Sequence, residues 1–483
     1  MNFKLRNLVA ATLAGSFLMG FGANAMADTT TDTVKPAMDF MNDDAPFKSN
    51  FMLGEHQADI QIYGIIDVGG ASQNHSLPAN GALPNNLYPY QGAKTNNPNV
   101  SSQTAWINGG LQDSRIGVKG SIGLFEANEN KFKLIYQIES GFNPITGELN
   151  NAAKTLADNA NLSTTVITPG VSVNANSSLN GYMFARQAWA GIDGGSLGKV
   201  SYGLQYNPVY EILGSYDPTG KADTFSPFGE SGTVGGGGGI SENSRMKNSF
   251  KYANSFAAPM DGKINAAVMY QIGNNIDTTN GYGATAQLGY ENSMFGVQMA
   301  YDKFTDSVKT ASGAAVNTLS GTVYNTDSFL LAGKVMPTKS ITVYGGWEWY
   351  QFEHASDSTI TYGNIDGYAV SGVTSAIGAG THQNNNVYYV GAKFDFAENM
   401  PALAGLTAAL GYYNTKFDEN QGATPTTNSK AGTIDTETLV VDYKINKRFD
   451  TYFAYTNNHF SGPTYATNFA NVEAAGVGVR MKF

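Results

Sequence analysis

From Ala58 to Phe483 the sequence runs in segments of about ten residues that alternate apolar and polar side chains, each followed by a turn-rich break. Along 58–68, Ile60, Ile62, Gly64, Ile66 and Val68 take one face, and Asp59, Gln61, Tyr63 and Asp67 the other, with Ile65 out of step. Along 131–140, Phe132, Leu134, Tyr136 and Ile138 oppose Lys131, Lys133, Gln137 and Glu139. Along 245–252, Met246, Phe250 and Tyr252 oppose Arg245, Lys247, Ser249 and Lys251. At the far end Ala475, Val477, Val479, Met481 and Phe483 oppose Arg480 and Lys482. A period of two is the period of a β-strand with two unlike faces. Alternation alone leaves open which face is wet: a soluble sandwich hides its apolar face, and a membrane barrel displays it.

The N-terminus narrows the choice. Lys4 and Arg6 form a basic head, 8–22 an apolar stretch, and Ala25-Met26-Ala27 an A-x-A cleavage site, so 1–27 reads as a secretory signal. After it no run of 18 apolar residues occurs; the nearest candidate, 401–413, is short and broken by Gly405, Thr407 and Gly411. An exported chain without membrane helices is either soluble outside the cytoplasm or a β-barrel, the other structure that satisfies its backbone in lipid. Residues 28–57, with Asp28, Asp32, Asp39, Asp43 and Asp44 and no period, read as a flexible acidic extension ahead of a barrel over 58–483.

Three features favour the barrel. Trp347 and Trp349 share one face near the end of a segment, with Glu348 on the other, as in an interfacial girdle. Connections alternate between short (194–196, 291–294, 336–340, 446–448) and long (75–103, 207–244, 355–385). About 16 segments can be counted, an even number that encloses an aqueous channel rather than a packed core. Composition agrees: 14% charged residues is low for a soluble domain at about 25%. The 56 glycines suit crowded barrel positions and turns. A net charge of −10 argues against a nucleic-acid partner, and zero Cys excludes disulfides and thiolate metal sites.

Several blocks resemble the Gram-negative general porins. They are Ile62-Tyr63-Gly64, Asp113-Ser-Arg-Ile-Gly-Val-Lys-Gly120, Gln137-Ile-Glu-Ser-Gly-Phe142, Phe184-Ala-Arg-Gln-Ala-Trp-Ala-Gly191, Ser201-Tyr-Gly-Leu-Gln-Tyr206 and Arg245-Met-Lys-Asn-Ser-Phe-Lys-Tyr252. Terminal Phe483 looks like the family's barrel-assembly signal. Residues 260–470 match only in rhythm. The resemblance implies an all-β transmembrane antiparallel barrel of about 16 strands, an inward-folded third long loop and a homotrimer. It places the chain in the outer membrane, among lipid and lipopolysaccharide, with the barrel-assembly machinery reading the last strand. No cofactor is implied.

The resemblance carries over Arg115, Arg186 and Arg245 as basic residues on the wall of the constriction. Alternation independently groups Arg115 with Asp113 and Lys119, and Arg245 with Lys247 and Lys251. Segment 207–244 is the expected constriction loop: Glu211, Asp217, Asp223, Glu230 and Glu242 are opposed there by Lys221 alone, and Ser226-Pro-Phe-Gly229 resembles the family's loop tip. Acids on the loop facing bases on the wall would set a transverse field. The alternative for each residue is an ordinary ion pair or a solvated surface acid.

The expected function is a passive diffusion channel for ions and small hydrophilic solutes. A channel selective for one solute class is the alternative. A barrel hydrolase is a third reading. For it, Gly194-Gly-Ser-Leu-Gly198 fits G-x-S-x-G, but that motif needs a strand before and a helix after, and here it lies between two strand segments. His56, His75, His354, His382 and His459 are scattered, and 235–239 lacks the Lys-Ser/Thr of a phosphate loop.

Overall fold

The computed structural model describes residues 47–76, 101–127, 129–145, 147, 183–184, 186–229, 244–272, 282–312, 318–354, 356, 364–365, 368–375, 382–418, 431–462 and 471–483. The signal segment 1–27, the extension as far as 46, Glu230 and Glu242 lie outside them.

In chain order the strands are β1 (Lys48–Leu53), β2 (His56–Ser76), β3 (Ser101–Asn108), β4 (Arg115–Ala127), β5 (Asn130–Gly141), β6 (Gln187–Asp193), β7 (Lys199–Tyr206), β8 (Arg245–Ala258), β9 (Gly262–Gln271) and β10 (Gly283–Glu291). There follow β11 (Phe295–Ser312), β12 (Thr318–Thr338), β13 (Ile341–His354), β14 (Asn364–Ile365), β15 (Tyr368–Ser375), β16 (His382–Asp395), β17 (Leu406–Phe417), β18 (Gly432–Lys444), β19 (Phe449–Ser461) and β20 (Val472–Lys482). The one α-helix among the described residues is α1 (Pro208–Tyr216).

β2 pairs with β4 along its first half and with β3 along its second, so β3 and β4 act as one strand interrupted by a turn at 109–114. Neighbours then pair antiparallel around the sheet, from β4–β5 to β19–β20 with β13 meeting β16, and β20 returns to β2 over Ile65–Gln73. The ring closes at 16 strands. β14 and β15 stand outside it, β15 lying parallel to β12, so part of the long connection 355–385 is itself strand. The last part of the acidic extension is ordered as well, because β1 pairs with β2.

Burial settles which face is apolar. Ile62, Ile116, Val200, Tyr202, Phe250, Val268, Tyr270, Leu288, Val297, Leu331, Val390 and Leu410 are exposed, all on the outer rows of their strands. Asp67, Glu139, Gln205, Lys251, Gln298, Asp302, Glu348 and Asn385 are buried on the inner rows. This is a soluble protein turned inside out, stable only with lipid against the outer face. Trp347 and Trp349 lie on the outer row beside exposed Tyr388, and Glu348 between them points inward.

One alternation expectation fails. Met246 is fully buried against Met269 and Phe304 rather than sharing the outer row of Phe250 and Tyr252. The β7–β8 register shifts between Gly203 and Gln205, and Asn248 takes φ 45°, so a bulge there turns Met246 off the outer row.

The short connections gather on one rim; there Gly194–Gly198 forms a hairpin turn with Gly195 and Gly198 at positive φ and no following α-helix, unlike a nucleophile elbow. Buried apolar side chains are concentrated where the third long loop meets the inner wall. Val209, Ile212, Leu213, Tyr216 and Phe228 pack against Ala300, Leu330, Ala332, Tyr350, Val387, Tyr389 and Tyr413. Further on, Ala222 and Phe225 pack against Ala71, Ile107, Leu111, Val440, Tyr452 and Ala454.

Candidate functional site

The third long loop enters the barrel as a helix because its first residues encode one. The Asn207 side chain accepts from the Tyr210 N–H at 2.7 Å, Pro208 follows at the first helical position, and Glu211 stands in the first turn. The Asn207 amide also donates to Asp302 on β11 at 2.9 Å, fixing the helix start to the wall. Tyr216 donates to Glu291 at 3.0 Å near the helix end. Beyond it, Asp217 accepts from the Lys221 N–H at 2.7 Å, from the Thr219 hydroxyl at 2.6 Å and from the Tyr413 hydroxyl at 2.5 Å. Phe228 of the loop-tip motif meets the Tyr389 and Tyr413 rings edge-on, at 5.3 and 5.8 Å. Loop residues 208–229 thus follow the inner wall from β10 round to β2.

The loop's far end docks on the turn that interrupts β3 and β4. Asp67 of β2 accepts from the Leu111 and Gln112 N–H groups at 3.0 and 2.8 Å and from Tyr452 at 2.7 Å, holding that turn inside the barrel. The N–H groups of Asp223 and Thr224 donate to the carbonyls of Leu111 and Gly110, both at 3.2 Å. The turn brings Asp113 next to Asp223. Burial and Asp113 push the Asp223 carboxyl well above the usual carboxylate range; for Asp113 burial is outweighed by Arg186, and its carboxyl stays low. Arg186 thus favours the charged form of Asp113, and Asp113 in turn favours the neutral form of Asp223.

The three arginines come to different ends. Arg186 is buried and spans two carboxylates, donating to Glu139 at 2.8 Å and Asp113 at 2.6 Å. Arg245 is buried with its guanidinium 5.2 Å from the centre of the Tyr206 ring, the ring that Arg186 also faces at 5.8 Å. Arg115 is partly exposed; its backbone joins the ladders to β2 and β5, and its side chain has no hydrogen bond or ion pair among the described residues, though its charge acts on Glu139. Water therefore solvates less of this charge than a bare basic wall would require; carboxylates and tyrosine rings supply the rest. Lys119 is exposed, 5.0 Å from the Tyr63 ring, and Lys247 is half-buried at the bulge.

Of the expected loop acids, Glu211 does meet a base on the wall, but that base is Lys251, at 2.7 Å. Asp217 is a buried turn and anchor residue, and Asp223 lies against Asp113, so neither forms an ion pair with an arginine among the described residues. Lys221 turns inward over the Tyr210 ring, 2.8 Å from its centre, and Tyr210 stacks on Tyr206 at 4.5 Å. Burial, with Arg186 and Arg245 nearby, brings the Lys221 ammonium down to about 8. Burial alone would raise the Tyr210 hydroxyl, but Lys221, Arg186 and Arg245 outweigh it and bring it to about 8.

Glu139, Tyr206 and Tyr210 belong to this network and were not singled out from sequence. Glu139 and Tyr206 stand in two of the resemblance blocks, and Glu139 lies on the polar face of its segment, which was the available signal. Tyr210 carried none before the helix was known.

The Gram-negative porin family model matches residues 14–463. An outer-membrane porin protein of Bordetella pertussis is 24% identical over 446 residues, covering 88% of this chain and 95% of its own. Among solved structures, the anion-selective porin from Comamonas acidovorans superposes with a TM-score of 0.54 at 15% identity, over 88% of this chain and all of its own. OmpT of Vibrio cholerae gives a TM-score of 0.52 at 11% identity, over 90% of this chain and all of its own. A closed ring with an apolar exterior, an inward-folded helical loop and a match over nearly its whole length lead to one assignment: this chain belongs to the Gram-negative porins, the outer-membrane channel proteins.

Proposed function

We propose that the chain forms a water-filled channel for passive diffusion of ions and small hydrophilic solutes, narrowed where loop residues 208–229 lie against the inner wall, and that its narrow zone favours anions. The observation that carries this reading is the inside-out burial of the ring together with that loop placement, since a polar inner face with a loop laid along it is built to be wet. The sign follows from which charges survive. At the narrow zone Arg115, Arg186, Arg245 and Lys251 stand against Asp113, Glu139 and Glu211, while Asp223 is pushed toward its neutral form, which leaves these bases in excess of these acids. Arg115, with no ion pair among the described residues, is the base we assign to passing solutes. The assembly is a homotrimer surrounded by outer-membrane lipid and lipopolysaccharide, and the assembly machinery reads the strand that carries Phe483; OmpT of Vibrio cholerae, of like fold, has been solved in a trimer form.

Planar-bilayer recording tests the reading. Purified trimers should conduct ohmically, with a reversal potential on the anion side in a potassium chloride gradient. Arg115→Ala should move it toward cations. Absence of ohmic conductance would sink the channel, and a reversal potential untouched by Arg115→Ala would remove that residue from the ion path.

A further inference from the structure

We propose that a recess in the barrel wall, on the short-turn side of the constriction, is a binding subsite for a neutral polyhydroxylated solute, a mono- or disaccharide, centred on Trp189; this rests on the channel reading above. The recess has a volume of about 770 Å³ and runs from Tyr206 and Glu211 at the constriction to Gly195 and Lys199 at the rim, large enough for a small ligand. Its lining comes from the inward rows of β5 to β10. Trp189 is half-buried on such a row: its neighbours two residues away are inward Gln187 and Gly191, whereas Ile192 is exposed outside.

The indole is held by its edge. Its ring N–H donates to the Gln187 side-chain oxygen Oε1 at 3.0 Å. In register it lies opposite Gln137 on β5 and Gly203 on β7, so no side chain stands beside it on the β7 side. Gly203 has φ 139°, and a Cβ there would run into the Trp189 backbone and its Cβ, which keeps that position without a side chain. A large indole facing water inside a pore, clear on one side, is costly unless something apolar covers it in use.

The polar groups around it are neutral or neutralised. Gln137, Asn265 and Gln287 line it; Gln137 donates to Tyr63, Asn265 accepts from Ser255 and Gln287 donates to Gln298, and each amide keeps a further donor and acceptor position for a ligand. At the constriction end Lys251 and Glu211 cancel each other through two contacts of 2.7 and 2.8 Å, and about half of the Glu211 side chain remains exposed to accept hydroxyl protons. Buried Gln205, tied to Ser201 and Ser249, belongs to the wall itself. A flat apolar face with amides and a balanced ion pair fits a pyranose ring, whose C–H face packs on the indole while its hydroxyls pair with amides and carboxylate. An ion gains no net charge there.

The experiment adds glucose, sucrose or a polyethylene glycol of sucrose-like mass to trimers in bilayers, from either side, and reads block as a fraction of each variant's own open current. The sugars should block saturably and more readily from the short-turn side, and the polymer should only slow current in proportion to viscosity. Trp189→Ala should weaken sugar block roughly tenfold, the size of one lost aromatic contact, and Trp189→Phe should retain most of it. Asn265→Ala, on β9, gives a second variant expected to weaken block if the tryptophan change prevents assembly. Ohmic current with unsaturable block, or block equal in wild type and variants, overturns the subsite while leaving the channel standing; no ohmic current at all overturns the channel first.

Discussion

Asp223 illustrates how a residue's role depends on what the chain folds against it. In sequence it is one acid among five on a loop; in the barrel burial and Asp113, whose charge is held by Arg186, push its carboxyl well above the usual range. An acid whose pKa is raised by folding contributes stability that is complete below its unfolded pKa and lost as pH rises through the folded value. Asp113, lowered, has the opposite sign and matters only below the usual carboxylate range. The thermal stability of the wild type should therefore fall relative to Asp223→Asn, which keeps the neutral hydrogen-bonding form throughout, as pH rises above the unfolded carboxylate value of about 4. A difference between the two that stays flat with pH would show that Asp223 is ionised in the fold. Arg186 and Arg245 were recognisable as inward bases, yet their burial and carboxylate or tyrosine partners were not, because Glu139, Asp113 and Tyr206 come from separate strands and turns.

At the scale of elements, α1 lays the loop against the inner wall. Its apolar side, Val209, Ile212, Leu213 and Tyr216, is the face laid against the wall. Leu213 is fully buried, and Leu213→Ala should cost about 2–5 kcal/mol of packing. Most of that falls on loop docking, so the expected reading is noisier open-channel current with a raised mean conductance, and little loss of barrel heat resistance. A quiet channel of wild-type conductance would mean the loop is held by its hydrogen bonds alone. The strand segments were legible because a two-residue period survives wherever one face meets lipid. The helix was not singled out, although Asn207, Pro208 and Glu211 form a recognisable start. The β8 bulge was illegible, because nothing local marks the point where Met246 leaves the outer row for a pocket made by β9 and β11.

For the whole molecule, the decisive event is closure. The Gly64 N–H donates to the Phe483 carbonyl at 2.8 Å, the Phe483 N–H returns a bond to the Gly64 carbonyl at 3.1 Å, and a Cβ on Gly64 would run into the Phe483 ring. Just beyond, Phe47 takes over, accepting from the Ile62 N–H at 3.1 Å with its ring edge-on to Phe483, so β20 and β1 follow one another along the same edge of β2. Gly64→Val should displace the Phe483 ring and lower the yield of heat-resistant barrel on gels, with Gly64→Ala affected less. Equal yields would place the closing force elsewhere along the β2–β20 ladder. By itself the sequence determined the class of fold and a count of about 16 strands, since alternation and turn spacing are local properties that lipid makes compulsory, while the inward-folded loop followed from the resemblance to the porins. Only the tertiary structure decided which charges face the lumen as free ions, where the bulge turns a row over, and that Trp189 stands in a recess. Those outcomes depend on which of 16 strands become neighbours, and partners tens of residues apart leave no period behind.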